Sequence, residues 1–254
     1  MHYNFFFFLF FLLTAAPVQA LQVKHYFKTS IGVFDACEET LEYSFYRSKD
    51  YDVKTSLITT GTFGTLYPFK AQYHAVGTYE KDVFRPQDYF YEAHSRFRHR
   101  TKEIVYQNGV PQYRVSTKND KKRRDAIVVD EAYPSSNDLL STFAALIEQI
   151  QRKDNCDFEK YSFNGKRYAL SKVKTLGREK IETAFFKGKA LKCRYNMEIL
   201  DDADAGFLVD RNEPIIFWVL KDEKTKVPFL AKAVMESTPF GKMETVATKI
   251  EVVK

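Results

Sequence analysis

The sequence has little cysteine. Cys37, Cys156 and Cys193 are the three thiols in 254 residues. No C-x-x-C pair occurs and no histidine lies near any of them in sequence. Both facts argue against a zinc site, which draws on closely spaced Cys and His ligands. No local cysteine-protease signature, nucleophile elbow or phosphate-binding loop is present, so nothing in the chain marks an enzyme. Positive charge is missing from the first twenty residues, which contain no Lys or Arg. Long apolar runs are missing after that point, so no later segment is expected to span a bilayer.

The chain opens "MHYNFFFFLFFLLTAAPVQA", which holds six of its 23 Phe. An apolar run from Phe5 to Leu13 followed by Val18-Gln19-Ala20 reads as a secretory signal peptide over 1–20, cut between Ala20 and Leu21. An uncleaved anchor is the competing reading. The run falls short of the roughly twenty residues needed to cross a membrane. The expectation is therefore a soluble exported protein, with 21–254 forming a single β-rich domain. Export places the cysteines in an oxidising compartment, and three thiols allow one disulfide and one free group.

Elsewhere the pattern is mostly period two. "LEYSF" alternates Leu41, Tyr43 and Phe45. "DYFYEAHSRFR" sets Tyr89, Tyr91, Ala93 and Phe97 against Glu92, His94, Arg96 and Arg98. Such alternation marks antiparallel strands with one buried face. Between strands, "TTGTFGTLYPFK" predicts an irregular crossing with a helical turn near Phe63–Tyr67. The basic run Lys118–Asp125, with Lys121 to Arg124 at its centre, reads as a solvated loop. It interleaves no aromatic residue for base stacking, so nucleic acid is not an expected partner.

One segment reads as a helix, over about 137–153. Ser135, Ser136 or Asn137 can cap it, Asp138 suits its positive end, and Arg152 and Lys153 suit its negative end. Leu139, Leu140, Phe143, Leu146, Ile147 and Ile150 form one apolar stripe. A single amphipathic helix among many strands is expected to lay that stripe on the sheet.

After the helix comes "CDFEKYSFNGKRYAL". Asn164-Gly165 between two alternating runs predicts a two-residue type I′ hairpin, which would set Tyr161 opposite Tyr168. Cys156 stands at its base, and Cys193 shares one face of "ALKCRYNMEI" with Leu191, Tyr195, Met197 and Ile199. A Cys156–Cys193 disulfide is expected, closing a loop worth roughly 3–4 kcal/mol, with Cys37 a buried free thiol.

The order of these features resembles the bacterial exported family known as domain of unknown function 3108. The resemblance rests on Asp138-Leu139-Leu140-Ser141, Cys156, the turn from Asn164 to Tyr168, Cys193 and Val227-Pro228. Gly32 and "RPQDYFYEAH" fit more loosely, and Asn164 stands where Asp is the commoner residue of the family. The resemblance implies export to the periplasm of a Gram-negative type cell and brings no established activity. It also implies a mainly β fold: a strongly curved antiparallel sheet or open β-barrel, lipocalin-like or lipoprotein-carrier-like, with one helix packed on it.

Two other motifs carry less. "DDADAGFLVDRNE" places Asp202, Asp204 and Glu213 in a calcium-loop register but lacks the turn glycine, so it reads as an acidic loop. Trp218, in "IIFWVLKD", reads as a core indole. No metal, cofactor or catalytic residue is expected. The functional expectation is a non-enzymatic module holding a lipid or other apolar envelope ligand. The alternative is an envelope interaction or assembly protein with a filled core and a protein partner.

Overall fold

The computed structural model describes residues 21–119, 121–133, 135–200 and 213–253. The signal-like segment 1–20, with Ala20 at its end, and the acidic segment 201–212 lie outside the described residues. Leu21 opens the first strand.

The first half is a meander. Its strands are β1 (Leu21–Ile31), β2 (Phe34–Phe45), β3 (Asp50–Thr59), β4 (Phe69–Glu80), β5 (Val83–Ser95), β6 (Arg98–Gln107), β7 (Val110–Lys118) and β8 (Lys121–Ala126). The short helix α1 (Gly61–Leu66) joins β3 to β4 and overlaps the turn expected at Phe63–Tyr67. The second half begins with α2 (Leu139–Lys153). It continues through β9 (Phe158–Phe163), β10 (Tyr168–Glu182), β11 (Lys187–Ile199), β12 (Ile215–Lys221), β13 (Pro228–Met235) and β14 (Met243–Val253). All fourteen strands join one antiparallel sheet in the order β8-β7-β6-β5-β4-β3-β2-β1-β14-β13-β12-β11-β10-β9. The first and last strands meet in its middle, from Gln22 opposite Val253 to Ile31 opposite Met243.

β1 shows how sequence becomes sheet. Val23, His25, Phe27 and Thr29 are buried, while Lys24, Tyr26 and Lys28 between them are not. That is the pleat acting on an alternating sequence. The sheet curls so that its inner face surrounds α2. One core cluster joins Val23, Tyr43 and Val53 to Ala144, Ile147 and Ile150 of the helix and to Val173, Leu191 and Phe217 of the second half. A second cluster sets Phe163 and Tyr168 against Ala75, Tyr89 and Ile104. The β9–β10 turn therefore abuts β6 and β7 by side chains, with no strand pairing there. Lys102 Nζ donates to the Asn164 carbonyl at 2.8 Å, and Arg114 Nη1 donates to the Gly165 carbonyl at 2.7 Å. The result is an open barrel with a helix inside the curl.

That turn corrects the type I′ expectation. Phe163 pairs across the loop with Tyr168 and not with Lys166, and Tyr161 faces Leu170 and not Tyr168. Four residues form the loop, and the Asn164 side chain accepts from the backbone N–H groups of Lys166 and Arg167, both at 3.0 Å. The register moves by two residues, so the faces are preserved. Gly165 holds φ +86°, and a Cβ there would meet Ile104 at 3.0 Å. The type I′ geometry occurs instead at Asn108-Gly109, where both φ values are positive (54° and 80°) and Gln107 pairs with Val110.

Two further expectations are corrected. The basic run is strand β8 rather than a loop, with Lys121 to Arg124 exposed along the sheet edge. Charged side chains there discourage edge-to-edge pairing with another chain. The helix begins at Leu139, and its cap is Asp138, not Ser135, Ser136 or Asn137: its carboxylate accepts from Ser141 N–H at 2.9 Å. At the other end Asp154 adopts the left-handed conformation and binds Arg178 and Lys221 at 2.5 and 2.7 Å.

Cys156 and Cys193 are disulfide-bonded, with Cα atoms 6.2 Å apart. Both are fully buried. The bond ties the start of β9 to β11 across Thr175, which pairs with Cys193 and accepts from Cys156 N–H at 2.9 Å. Cys37 is free and half-buried rather than fully buried.

Candidate functional site

The helix does not press its apolar stripe flat on the sheet. Ser141, Ala144 and Ala145, all buried, belong to the packed face; their small size lets the backbone approach closely. Tyr51 of β3 donates its hydroxyl to Ser141 Oγ at 2.6 Å. Leu139, Phe143, Leu146, Ile147 and Ile150 border an apolar cavity of about 590 Å³, and of these Leu146, Ile147 and Ile150 are also buried in the core cluster. Leu139 is 44% exposed and Phe143 is half-buried, which corrects the expectation that both are covered by strands. Leu140, the sixth stripe residue, lies outside the cavity wall and packs between the two core clusters.

The facing wall comes from the middle of the sheet, where the first and last strands pair. β1 contributes His25, Thr29 and Ile31; β2 contributes Cys37 and Glu39. β12, β13 and β14 add Phe217, Phe229 and Thr245 among others, and β3 and β9 to β11 reach it through Leu57, Phe158, Val173 and Tyr195. A volume of this size falls within the range of small-molecule sites.

Thr142 and Tyr195 on the wall are paired with the Asp138 carbonyl and the Ser171 hydroxyl, and the other polar side chains form two sets. Glu39 Oε1 accepts from Thr29 Oγ1 at 2.9 Å and from Cys37 Sγ at 3.2 Å, and Thr29 is 2.7 Å from Thr245 Oγ1. Burial, and then the Glu39 carboxylate beside it, push the Cys37 thiol up to about 12. It is held as a thiol, and a thiol is a poor nucleophile. The other set is His25 alone. It is 1% exposed, and neither ring nitrogen has a hydrogen-bond partner among the described residues. Phe27, Tyr43 and Phe229 surround it at ring-centroid distances of 5.6, 5.6 and 6.3 Å. Burial lowers its pKa to about 4, so the imidazole is neutral at pH 7.

Other candidate groups serve structure. Asp138 is fully buried, and burial raises its carboxyl to about 6 against the pull of the Ser141 hydroxyl and backbone N–H groups. Its oxygens hold the helix start. Asp222 accepts from the backbone and hydroxyl of Thr225, both at 2.7 Å, closing the β12–β13 turn. Trp218 is half-buried and not a core indole; its Nε1 donates to Glu179 at 2.5 Å, with the ammonium groups of Lys192 and Lys232 over its ring. One cluster went unseen in the sequence. Glu92, His94 and His99 bring three ligand atoms within 4.8 Å on the β5–β6 hairpin, and both imidazole Nε2 atoms contact Glu92 Oε1 at 3.1 and 2.9 Å. The set has donor types that suit a divalent transition metal. Its readable signal is Glu92 and His94 alternating on β5, with His99 directly across the turn.

The family profile described as protein of unknown function (DUF3108) matches residues 24–247. No curated protein matches the chain. Among solved structures, the chain is similar to a beta-barrel-like protein of domain of unknown function DUF1849 from Brucella abortus. The TM-score is 0.56 at 9% identity, over 94% of this chain and 100% of that one. At that identity the similarity concerns the fold. No helix among the described residues is long and apolar enough to cross a membrane.

Proposed function

The chain belongs to DUF3108, a family of proteins of unknown function, and on that premise we propose that it is an exported, non-enzymatic carrier of a lipid or other apolar envelope ligand. One observation carries the reading: the apolar stripe of α2, buried at Leu146, Ile147 and Ile150, also borders an apolar cavity between the helix and the sheet. A stripe that packed on strands would be buried by protein alone. This one leaves Leu139 and Phe143 short of full burial, and an apolar guest would supply the rest.

Absence of catalysis is part of the proposal. Cys37 is held as a thiol, and the Asp138 oxygens are committed to the helix cap. Export and a periplasmic location rest on the signal-like residues 1–20. N-terminal sequencing of protein from the producing cell checks them: a start at Leu21 is expected, and a start at Met1 refutes cleavage.

Binding is tested with N-phenyl-1-naphthylamine, an apolar probe whose emission rises out of water. The wild-type protein is expected to bind one equivalent. Leu139→Trp places a larger side chain at an exposed position on the cavity wall and is expected to weaken the probe at little cost in folding. No probe bound by the wild-type protein, or an unchanged affinity in Leu139→Trp, would refute the cavity as the site. The first result would favour the assembly protein with a filled core.

A further inference from the structure

We infer that Glu92, His94 and His99 form a Zn2+ site on the outer face of the β5–β6 hairpin, with a further coordination position open to water. The inference goes beyond the cavity reading, since none of the three residues lines that cavity. Register brings them together. Glu92 and His94 are two residues apart on β5 and so stand on one face of the strand. His99 of β6 pairs with His94, and directly opposed residues point the same way. Ala93, between Glu92 and His94, is buried, so the three side chains stand on the face turned away from the core. Two paired strands, rather than a loose loop, hold all three donors.

The distances suit coordination. Nε2 of His94 and Nε2 of His99 lie 3.1 and 2.9 Å from the same oxygen, Glu92 Oε1. All three ligand atoms lie within 4.8 Å of one another. Zn2+ holds nitrogen and carboxylate oxygen at about 2.0–2.2 Å, so ligand atoms in a tetrahedral shell stand roughly 3.3 Å apart. Both nitrogen–oxygen separations are already close to that spacing. The imidazoles stack with centroids 4.1 Å apart and an interplanar angle of 11°, and both turn Nε2 toward the one oxygen. The side chains of His94, His99 and Glu92 are 40, 38 and 30% exposed, so an ion reaches them from solvent.

The donor set selects the ion. Two imidazoles and one carboxylate match the three-ligand zinc sites that leave a position for water. Ca2+ and Mg2+ take oxygen ligands, and two nitrogens count against them. Cu+ prefers sulfur, which the set lacks. One cation shares the face by register: Lys70 of β4 pairs with His94. Its side chain is exposed, and its long stem lets the ammonium stand off in water. A bound ion would tie β5 to β6 beside their turn, and an ion held by the folded state alone stabilises that state.

Calorimetric titration of the full, tag-free protein with Zn2+, after stripping with EDTA, tests this. The wild-type protein should take up one equivalent, and its Tm should rise with Zn2+ concentration. His94→Gln, His99→Gln and Glu92→Gln each remove a ligand at the sheet surface, where the cost in folding is small. Losing an outer-shell partner of a metal ligand already costs about 10–100-fold in affinity, so each variant should bind Zn2+ at least about tenfold more weakly. Wild-type affinity in either histidine variant would place the ion elsewhere and overturn the inference. No Zn2+ bound by the wild-type protein would also overturn it, leaving Glu92 as an acceptor of two hydrogen bonds and nothing more. Should a variant not fold, imidazole nitrogen NMR of the wild-type protein decides: Zn2+ should appear on the Nε2 atoms of two histidines, and fewer than two would sink the idea. None of these readouts involves the cavity, so the outcome is separate from the carrier reading.

Discussion

Asp138→Asn separates the two things this residue does. Asp138 caps α2, and asparagine caps a helix about as well. It is also a fully buried carboxyl whose pKa is raised from 3.8 to about 6 by burial. The folded protein therefore holds its proton to a higher pH than the unfolded chain does. Below about 3.8 both states are protonated and the site carries no penalty. As pH rises from there through about 6, the folded state must ionise a buried group, and stability is lost. The shift converts to about 3 kcal/mol, fully developed by pH 7. The asparagine of the variant would not titrate. The stability of wild type relative to the variant should thus improve by about 3 kcal/mol when pH falls from 7 to about 3, and the variant should be no less stable at pH 7. Urea unfolding followed by Trp218 fluorescence, at half-unit steps of pH, measures the difference and cancels every other titrating group. Parallel curves would refute the reasoning. A wild type that loses ground to the variant on acidification would do so more sharply, since that is the behaviour of a carboxylate stabilised by its partners.

Three more outcomes follow from the same geometry. Burial of His25 has the opposite pH sign: its pKa falls from 6.5 to about 4, so stability is lost by about 3 kcal/mol as pH drops through that window, and His25→Phe should flatten this acid limb in the same urea assay. Replacing both bridged cysteines by serine, Cys156→Ser with Cys193→Ser, opens a cross-link spanning 37 residues and should cost about 4 kcal/mol in urea unfolding, with a loss under about 1 kcal/mol counting against the chain-entropy account. Phe143→Ala should cost about 2 kcal/mol, below the roughly 3–5 of a packed core phenylalanine, because one side of the ring borders the cavity; a loss near about 4 kcal/mol would mean that α2 packs as a plug.

Much of the fold was legible because its signals are local. Alternation in β1 is set by the pleat of one strand, and the two paired cysteines flank one hairpin in sequence. Contacts from elsewhere decided what was misread. Asn164-Gly165 carries a type I′ signature, yet its carbonyls are held by Lys102 and Arg114 from the far end of the curled sheet, and the loop opens to four residues. Asn108-Gly109, with no such tether, takes the form that its sequence favours. Lys121 to Arg124 look like a solvated loop because a run of charge carries no alternation, although an edge strand needs only one partner and is well served by charge. The cavity was the least legible feature. A stripe such as Leu139, Phe143, Leu146 and Ile150 has the same period whether it meets a strand or an empty space, since periodicity records which face is apolar and nothing about what fills the other side.

Native mass spectrometry of the full chain, purified from its producing cell without detergent, tests the central claim most directly. The cavity account predicts a population one small apolar molecule heavier than the polypeptide, shed on chloroform extraction and regained when the stripped protein is incubated with total lipid extract. A mass equal to the bare polypeptide both before extraction and after that incubation would contradict it.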